Sequence, residues 1–314
     1  MIYVEMYGRQ GNQFFRYAAA RALQKKYYPD EKLVLSFNQV YKSAGNDATF
    51  YNTLEDYNVA PYTLYAKKGK VIFNESSFLQ KAVCVPYYFG LKKIPAEDMN
   101  RQVSYQRKWE PTLSKLGIYW YRNGFHTIQR SSQSNKFLSG NFESKSYFNG
   151  IRDSLLEEFT PKHDPLEKNQ KLYEIIKSTN SVCVSVRRGD FESNEIFRGL
   201  HSVCHQKYFA NAIAKAKQLI DNPTFIFFSD DIEWVKKNIQ TGCATYSEDG
   251  TDPVWEKLRM MSMCKHFIIS NSTFSWWAQY LSINNDKVVI APSRWFNNDF
   301  ESPLIEQEFI KIDV

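Results

Sequence analysis

The residues with the most chemical content lie where apolar runs stop. The run "VCVSV" (182–186) ends on Arg187 and Arg188, followed by Gly189 and Asp190. An arginine carries a planar fork of donors that matches phosphate oxygens, and it stays charged at any working pH. A pair of them at the end of a core strand offers one cation to an anion and turns the other back onto the protein. "TFIFF" (224–228) ends on Ser229-Asp230-Asp231, and "FIIS" (267–270) ends on Asn271-Ser272-Thr273. Paired carboxylates admit two readings: they hold Mg²⁺ or Mn²⁺, or one accepts hydrogen bonds from a nucleobase and ribose while the other caps the helix starting at Ile232.

Two further stretches suit an anion. "NSTFSWWAQYL" starts a helix with Ser272 or Thr273 near its N-cap, where free N–H groups and the positive end of the helix dipole attract negative charge. "GRQGNQFF" places a second helix N-terminus, preceded by two glycines, near the other end of the chain. It is not a GxGxxG fingerprint. Two helix N-termini and an arginine pair, facing across a cleft, would make a diphosphate cradle. "HSVCH" sets His201, Cys204 and His205 close together, but no fourth ligand group stands near. A structural role or a place on the acceptor side therefore outranks a metal site.

Elements must carry these groups to one place. "IYVEM" (2–6), "KLVLS" (32–36) and "KFLSGNF" (136–142) read as strands, with a helix-spaced run through Phe14, Tyr17, Ala18 and Ala22 between the first two. A helix is expected over 147–159, with Ile151, Leu155 and Phe159 on one face. Residues 40–135 mix turn-rich and basic, aromatic pieces and yield no element order. The later half is regular: strands at 182–186, 224–228, 243–246, 267–270 and 287–291 alternate with helices at 208–220, 232–239, 254–264 and 272–281. That alternation implies a parallel, doubly wound sheet with both faces covered. Ligands of such sheets bind outside the carboxyl ends of the strands, where the polar clusters fall.

A length of 314 residues suits two domains, and the segment "TPKHDPLEKN" (160–169) is the natural boundary. The division expected is 1–165, 166–300 and a tail, 301–314, that packs back on the N-terminal domain. Composition is globular, at 43% hydrophobic and 24% charged, and the net charge of +6 suits an anionic small substrate or an anionic membrane surface. No Lys/Arg run is dense enough for nucleic acid. No stretch reaches the ~20 apolar residues of a membrane span. "MIYVEMYG" lacks the pattern of a signal peptide, and five cysteines, an odd number, read as reduced thiols, so a cytoplasmic location is expected.

Together these stretches resemble the bacterial α-1,2-fucosyltransferases of glycosyltransferase family 11. "SVRRGDF" is similar to the family's H-x-R-R-G-D-Y, and "FFSDDIEW" to its second motif. "MSMCKHFIISNSTFSWWAQYL" is similar to its third, "GRQGNQFFRYA" to G-G-L-G-N-Q-M-F-Q-Y-A, and "LSGNFESKSYF" to L-x-G-Y-F-Q-S-x-x-Y-F. The resemblance implies a GT-B-like α/β fold: two Rossmann-type domains facing a cleft, with parallel sheets covered by helices. It implies inverting transfer of L-fucose from GDP-fucose to O2 of a galactose-type residue on a glycan of a surface polysaccharide or oligosaccharide, without metal or other cofactor. It places the donor on Gly11, Asn12, Gln13, Ser185, Arg187, Arg188, Asp230, Asn271, Ser272, Thr273 and Ser275, and the acceptor on the N-terminal domain, with a peripheral contact to a membrane carrying a lipid-linked acceptor.

On that reading Arg187 stabilises the leaving diphosphate, and Asp190 or Glu192 deprotonates the acceptor. Departures from the motifs are Ser185 for histidine, Arg9 and Gln10 for Gly-Leu, and Asn141 and Glu143 for Tyr and Gln. They bear on acceptor choice. Two readings compete: a metal-dependent GT-A transferase using Asp230-Asp231 with another nucleotide sugar, and a nucleotide- or sugar-binding homologue that has lost catalysis.

Overall fold

The apolar runs pair into two sheets, each wholly parallel. The computed structural model describes residues 1–45, 47–189 and 199–314. The chain divides into two compact units, Met1–Thr160 and Pro161–Val314, and the break falls inside the segment 160–169.

In the N-terminal unit β1 (Ile2–Glu5), β2 (Leu33–Ser36), β3 (Thr63–Leu64), β4 (Ile118–Tyr121) and β5 (Lys136–Gly140) lie in the order β3-β2-β1-β5-β4. Helices α1 (Gln10–Tyr27), α2 (Asn38–Ala44), α3 (Phe78–Lys92), α4 (Met99–Lys115) and α5 (Arg152–Glu158) connect or flank them. The stretch 40–135, unreadable in sequence, holds α3 and α4. Pro86 and Pro111 sit inside those helices, where proline usually marks an end. The start of α3 is held by a full capping box between Ser77 and Gln80.

The C-terminal unit follows its expected alternation. Its elements are α6 (Gln170–Ser178), β6 (Asn180–Val186), α7 (Gln206–Leu219), β7 (Pro223–Ser229), α8 (Ile232–Asn238), β8 (Thr245–Ser247), α9 (Val254–Met263), β9 (His266–Ile268), α10 (Thr273–Leu281), β10 (Val289–Pro292) and β11 (Ile310–Ile312). The sheet runs β11-β10-β9-β6-β7-β8. Strand β6 is central and buried on both faces, which explains its unbroken apolar run. Trp276 and Trp277 are fully buried on α10.

One expectation changes. The tail 301–314 is not a separate piece but belongs to the C-terminal unit, where β11 pairs with β10 in the register Ile290↔Ile310. Its apolar residues Ile310, Ile312 and Val314 pack on the core around Val182, Ile268 and Ile290. Burying them beside an open strand edge satisfies side chains and backbone together.

Candidate active site

The C-terminal sheet reverses its strand order once, and in the N-terminal sheet the chain passes from β3 on one side of β1 to β4 and β5 on the other. In the C-terminal unit β6 has β7 on one side and β9 on the other, and chain order runs outward from β6 in both directions. Such a switch point opens a crevice outside the carboxyl ends of the two central strands, and ligands of open parallel sheets bind there. The arginine turn leaves β6 at this place, and Ser270-Asn271-Ser272 leaves β9 beside it.

The arginine turn is braced by Asp230, which follows β7. Its Oδ2 pairs with Arg187 Nη1 at 2.7 Å and accepts the Gly189 N–H at 3.0 Å, while its Oδ1 accepts the Arg188 N–H at 2.9 Å. A Cβ on Gly189 would stand 2.6 Å from Asp230 Oδ2, so the residue between the arginine and the loop must be small. Asp231 does a different job. Its Oδ1 caps α8 by accepting the Trp234 N–H at 3.1 Å, and its Oδ2 accepts from Arg188 Nε at 3.3 Å. The Arg188 guanidinium also lies 3.9 Å from the centroid of the Trp234 ring. The two arginines therefore differ: Arg188 is stacked and paired against α8, and Arg187 is held by the brace at the strand end. Both carboxylates are engaged with this turn. Ser185 lies buried on β6, in register with Phe228 of β7. Asp190 and Glu192, the expected base candidates, lie outside the described residues.

Across the switch point, α10 starts at Thr273 after the N-cap residue Ser272, with no side chain capping the first turn. Ser275, fully buried, turns its hydroxyl back to the carbonyls of Ser272 at 2.9 Å and Ser270 at 3.1 Å. Asn271 is 3% exposed and donates its amide to the carbonyls of His201, at 2.7 Å, and Trp295, at 3.0 Å. Its Oδ1 is buried and lacks a hydrogen-bond partner among the described residues, an acceptor that a ligand donor would satisfy. His201 is thus tied into the fold, and burial lowers its pKa.

In the N-terminal unit the "GRQGNQFF" stretch folds a little differently from its reading. Helix α1 begins at Gln10, so Gly11 lies within its first turn and Gly8 alone precedes it. Gly8 has φ +71°, and a Cβ there would meet Asn12 Nδ2 at 2.6 Å, so this turn requires glycine. Gln13 is buried with its amide fully engaged. Nε2 donates to the carbonyls of Gly8, at 3.0 Å, and Tyr51, at 2.8 Å, while Oε1 accepts from Thr53 N at 3.1 Å and Thr53 Oγ1 at 2.8 Å. Its side chain is committed to holding the turn. Arg9 pairs with Asp47 at 2.7 Å and Thr49 at 2.7 Å.

The switch point of this unit, between β1 and β5, carries charged groups that spacing alone did not mark. Glu5 ends β1, and Arg16, on α1, donates from Nη1 to the Glu5 carbonyl at 2.8 Å and from Nη2 to Asn141 Oδ1 at 3.3 Å. Glu143 follows two residues later. Burial pushes its carboxyl up to about 7, against the pull of Arg16, and burial lowers Arg16 to about 10 against Glu5, Glu143 and Tyr7. The one available signal, a polar residue closing a parallel strand, was present at Glu5; nothing marked Arg16 within its helical run.

Among the described residues, one grouping of acidic side chains has converging oxygens: Glu248, Asp249 and Asp252. Lys168 pairs with Asp249 and Asp252, and Lys257 with Glu248. His201, Cys204 and His205 form no such grouping among the described residues. No helix among the described residues is long and apolar enough to cross a membrane.

Two doubly wound α/β units with polar strand ends are the architecture of the GT-B fold. Consistent with this fold, a crystal structure titled NodZ alpha-1,6-fucosyltransferase soaked with GDP-fucose matches at a TM-score of 0.50 and 14% identity, covering 89% of this chain and 92% of that one. Residues 1–313 match the model of "Glycosyl transferase family 11", and the chain belongs to that family. An alpha-1,2-colitosyltransferase of Escherichia coli is 34% identical over 56% of this chain and 63% of that protein. The O-antigen biosynthesis glycosyltransferase WbnK of Escherichia coli is 25% identical over 97% of this chain and 98% of its own length. The human galactoside alpha-(1,2)-fucosyltransferase 1 is 31% identical over 56% of this chain and 48% of that enzyme. The match thus spans less than two thirds of the colitosyltransferase and about half of the human enzyme.

Proposed function

We propose that this chain transfers L-fucose from GDP-fucose, with inversion and without metal, to O2 of a galactose-type residue on a glycan acceptor. The observation that carries this reading is the Asp230-braced arginine turn at the β6/β9 switch point, beside the uncapped start of α10. Arg187 then meets the diphosphate, with N–H groups from the 271–275 turn beside it. Asn271 Oδ1 accepts from a donor group of the nucleotide sugar. Family membership and the names of the relatives support α-1,2 transfer of a 6-deoxy sugar.

In the reaction the acceptor hydroxyl attacks C1 of fucose on the face opposite GDP, through an oxocarbenium-like transition state. Negative charge grows on the leaving diphosphate, where a preorganised arginine and helix N–H groups are worth most. The departing proton goes to a carboxylate, with Asp190 and then Glu192 as candidates. The acceptor binds the N-terminal unit, and the protein works in the cytoplasm at the inner face of a membrane that carries a lipid-linked acceptor.

The 34% identical colitosyltransferase favours a second reading, in which colitose replaces fucose on the same site. A transfer assay with GDP-fucose and GDP-colitose, lactose as acceptor and EDTA present, followed by linkage analysis, separates the two. The expected product is α-1,2-fucosyllactose. Transfer of colitose alone would move the donor, and activity lost in EDTA and restored by Mn²⁺ would end the metal-free account.

A further inference from the structure

The carboxyl ends of β1, β2 and β5 enclose polar groups that the fold does not satisfy. Glu5 and Ser36 end adjacent strands in register, and Glu5 Oε1 and Ser36 Oγ are buried without a hydrogen-bond partner among the described residues. Arg16 is 6% exposed, and its Nε is likewise buried and unpartnered. Orphaned polar atoms of this kind are costly unless a ligand or ordered water completes them. Three of them stand at and beside the carboxyl end of β1, where they mark a built site.

Its rim is shaped for a sugar. Tyr7, 46% exposed, lies with its ring 5.6 Å from the Arg16 guanidinium, an apolar face with a polar edge open to solvent. Phe142, between Asn141 and Glu143, is buried in the left-handed region at φ +55°, a conformation that a non-glycine residue keeps only where its surroundings enforce it. The strained turn sets Asn141 on Arg16 and brings Glu143 within electrostatic reach of the same guanidinium.

We propose that Arg16 and Glu143 determine acceptor specificity: the Glu143 carboxylate accepts a hydrogen bond from an acceptor sugar hydroxyl, and Arg16 positions that carboxylate while its Nε meets a second oxygen of the sugar. The inference rests on the placement of the acceptor in the N-terminal unit. The charged group acting on the Glu143 carboxylate is Arg16 from α1, and Glu5 from β1 and Tyr7 from the loop after β1 act on that same guanidinium.

The test is saturation-transfer NMR of methyl β-galactoside, lactose and N-acetyllactosamine with the protein in the presence of GDP, for wild type, Glu143→Gln, Arg16→Gln and the double variant. Wild type is expected to bind at least one probe, more tightly as pH rises through about 7. Glu143→Gln should weaken that probe about ten-fold, lose the pH dependence and keep its GDP affinity by calorimetry. The double variant, which leaves neither charge without the other, should also lose the pH dependence and keep its GDP affinity. Equal binding by wild type and Glu143→Gln overturns the proposal, as does wild type binding none of the probes. Binding that depends on Glu143 in a protein that transfers no fucose upholds the site and instead defeats the donor assignment.

Discussion

The two switch points solve opposite electrostatic problems. At the C-terminal one, cations meet solvent: Arg187 and Asp230 are each about a quarter exposed, and a carboxylate with three donors on it holds the arginine in place. At the N-terminal one, Arg16 is buried and Glu143 half-buried, and loss of solvent shifts both toward their neutral forms. An exposed, braced cation suits a ligand that brings its own full charge, such as a diphosphate. A largely buried pair whose Arg16 Nε lacks a partner among the described residues suits a neutral ligand that brings hydroxyls, since each new hydrogen bond relieves a group already taken out of water. The difference in electrostatics agrees with the proposal that donor and acceptor are held by different units.

That contrast can be broken from either side. The largest effect is expected at Gln13, because its amide closes four hydrogen bonds to buried or half-buried groups. Gln13→Ala should cost on the order of 3 kcal/mol of stability in denaturant unfolding. If the folded variant keeps its GDP affinity, Gln13 belongs to the scaffold; a selective loss of GDP binding in a protein of normal stability would return it to the donor site.

Next comes the brace. Asp230→Asn keeps one acceptor but turns an amide against the donors of Arg187 and Gly189, so GDP affinity should fall about ten-fold. Acceptor binding should not change. A drop in acceptor binding with GDP binding intact would reverse the assignment of the two units.

The smallest effect is a pH dependence of stability. Glu143 has its folded pKa raised from 4.5 to about 7, so between those values the folded chain keeps a proton that the unfolded chain has released. Stability from this group is present below about 4.5 and is lost as pH rises toward and through 7. Glu143→Gln lacks this loss, so its Tm relative to wild type should climb between pH 4.5 and pH 8. A constant difference across that range would mean that Glu143 is not buried as a charge.

How legible was this in the sequence? The C-terminal half was read almost element by element, because strands buried on both faces are continuous apolar runs and their polar ends are abrupt. That same abruptness exposed Arg187, Asp230 and Asn271. The N-terminal half resisted for physical reasons. Its helices α3 and α4 carry prolines, β3 is two residues long and exposed, and α3 leaves Phe78, Leu79, Val85 and Phe89 in solvent, which blurs its apolar face. Gln13 lay in a stretch read as a ligand-binding turn, and only the fold shows its amide turned inward. Arg16 and Glu143 stand 127 positions apart and meet only because β5 inserts next to β1, a pairing that no local pattern announces.

The most direct test of the central claim is a calorimetric titration of GDP into wild type, Arg187→Ala and Arg16→Gln. Loss of a charge-assisted contact worth roughly 1.5–3 kcal/mol should weaken Arg187→Ala by ten-fold or more and leave Arg16→Gln at the wild-type affinity. Unchanged GDP affinity in Arg187→Ala, or an equal loss in both variants, would contradict the account.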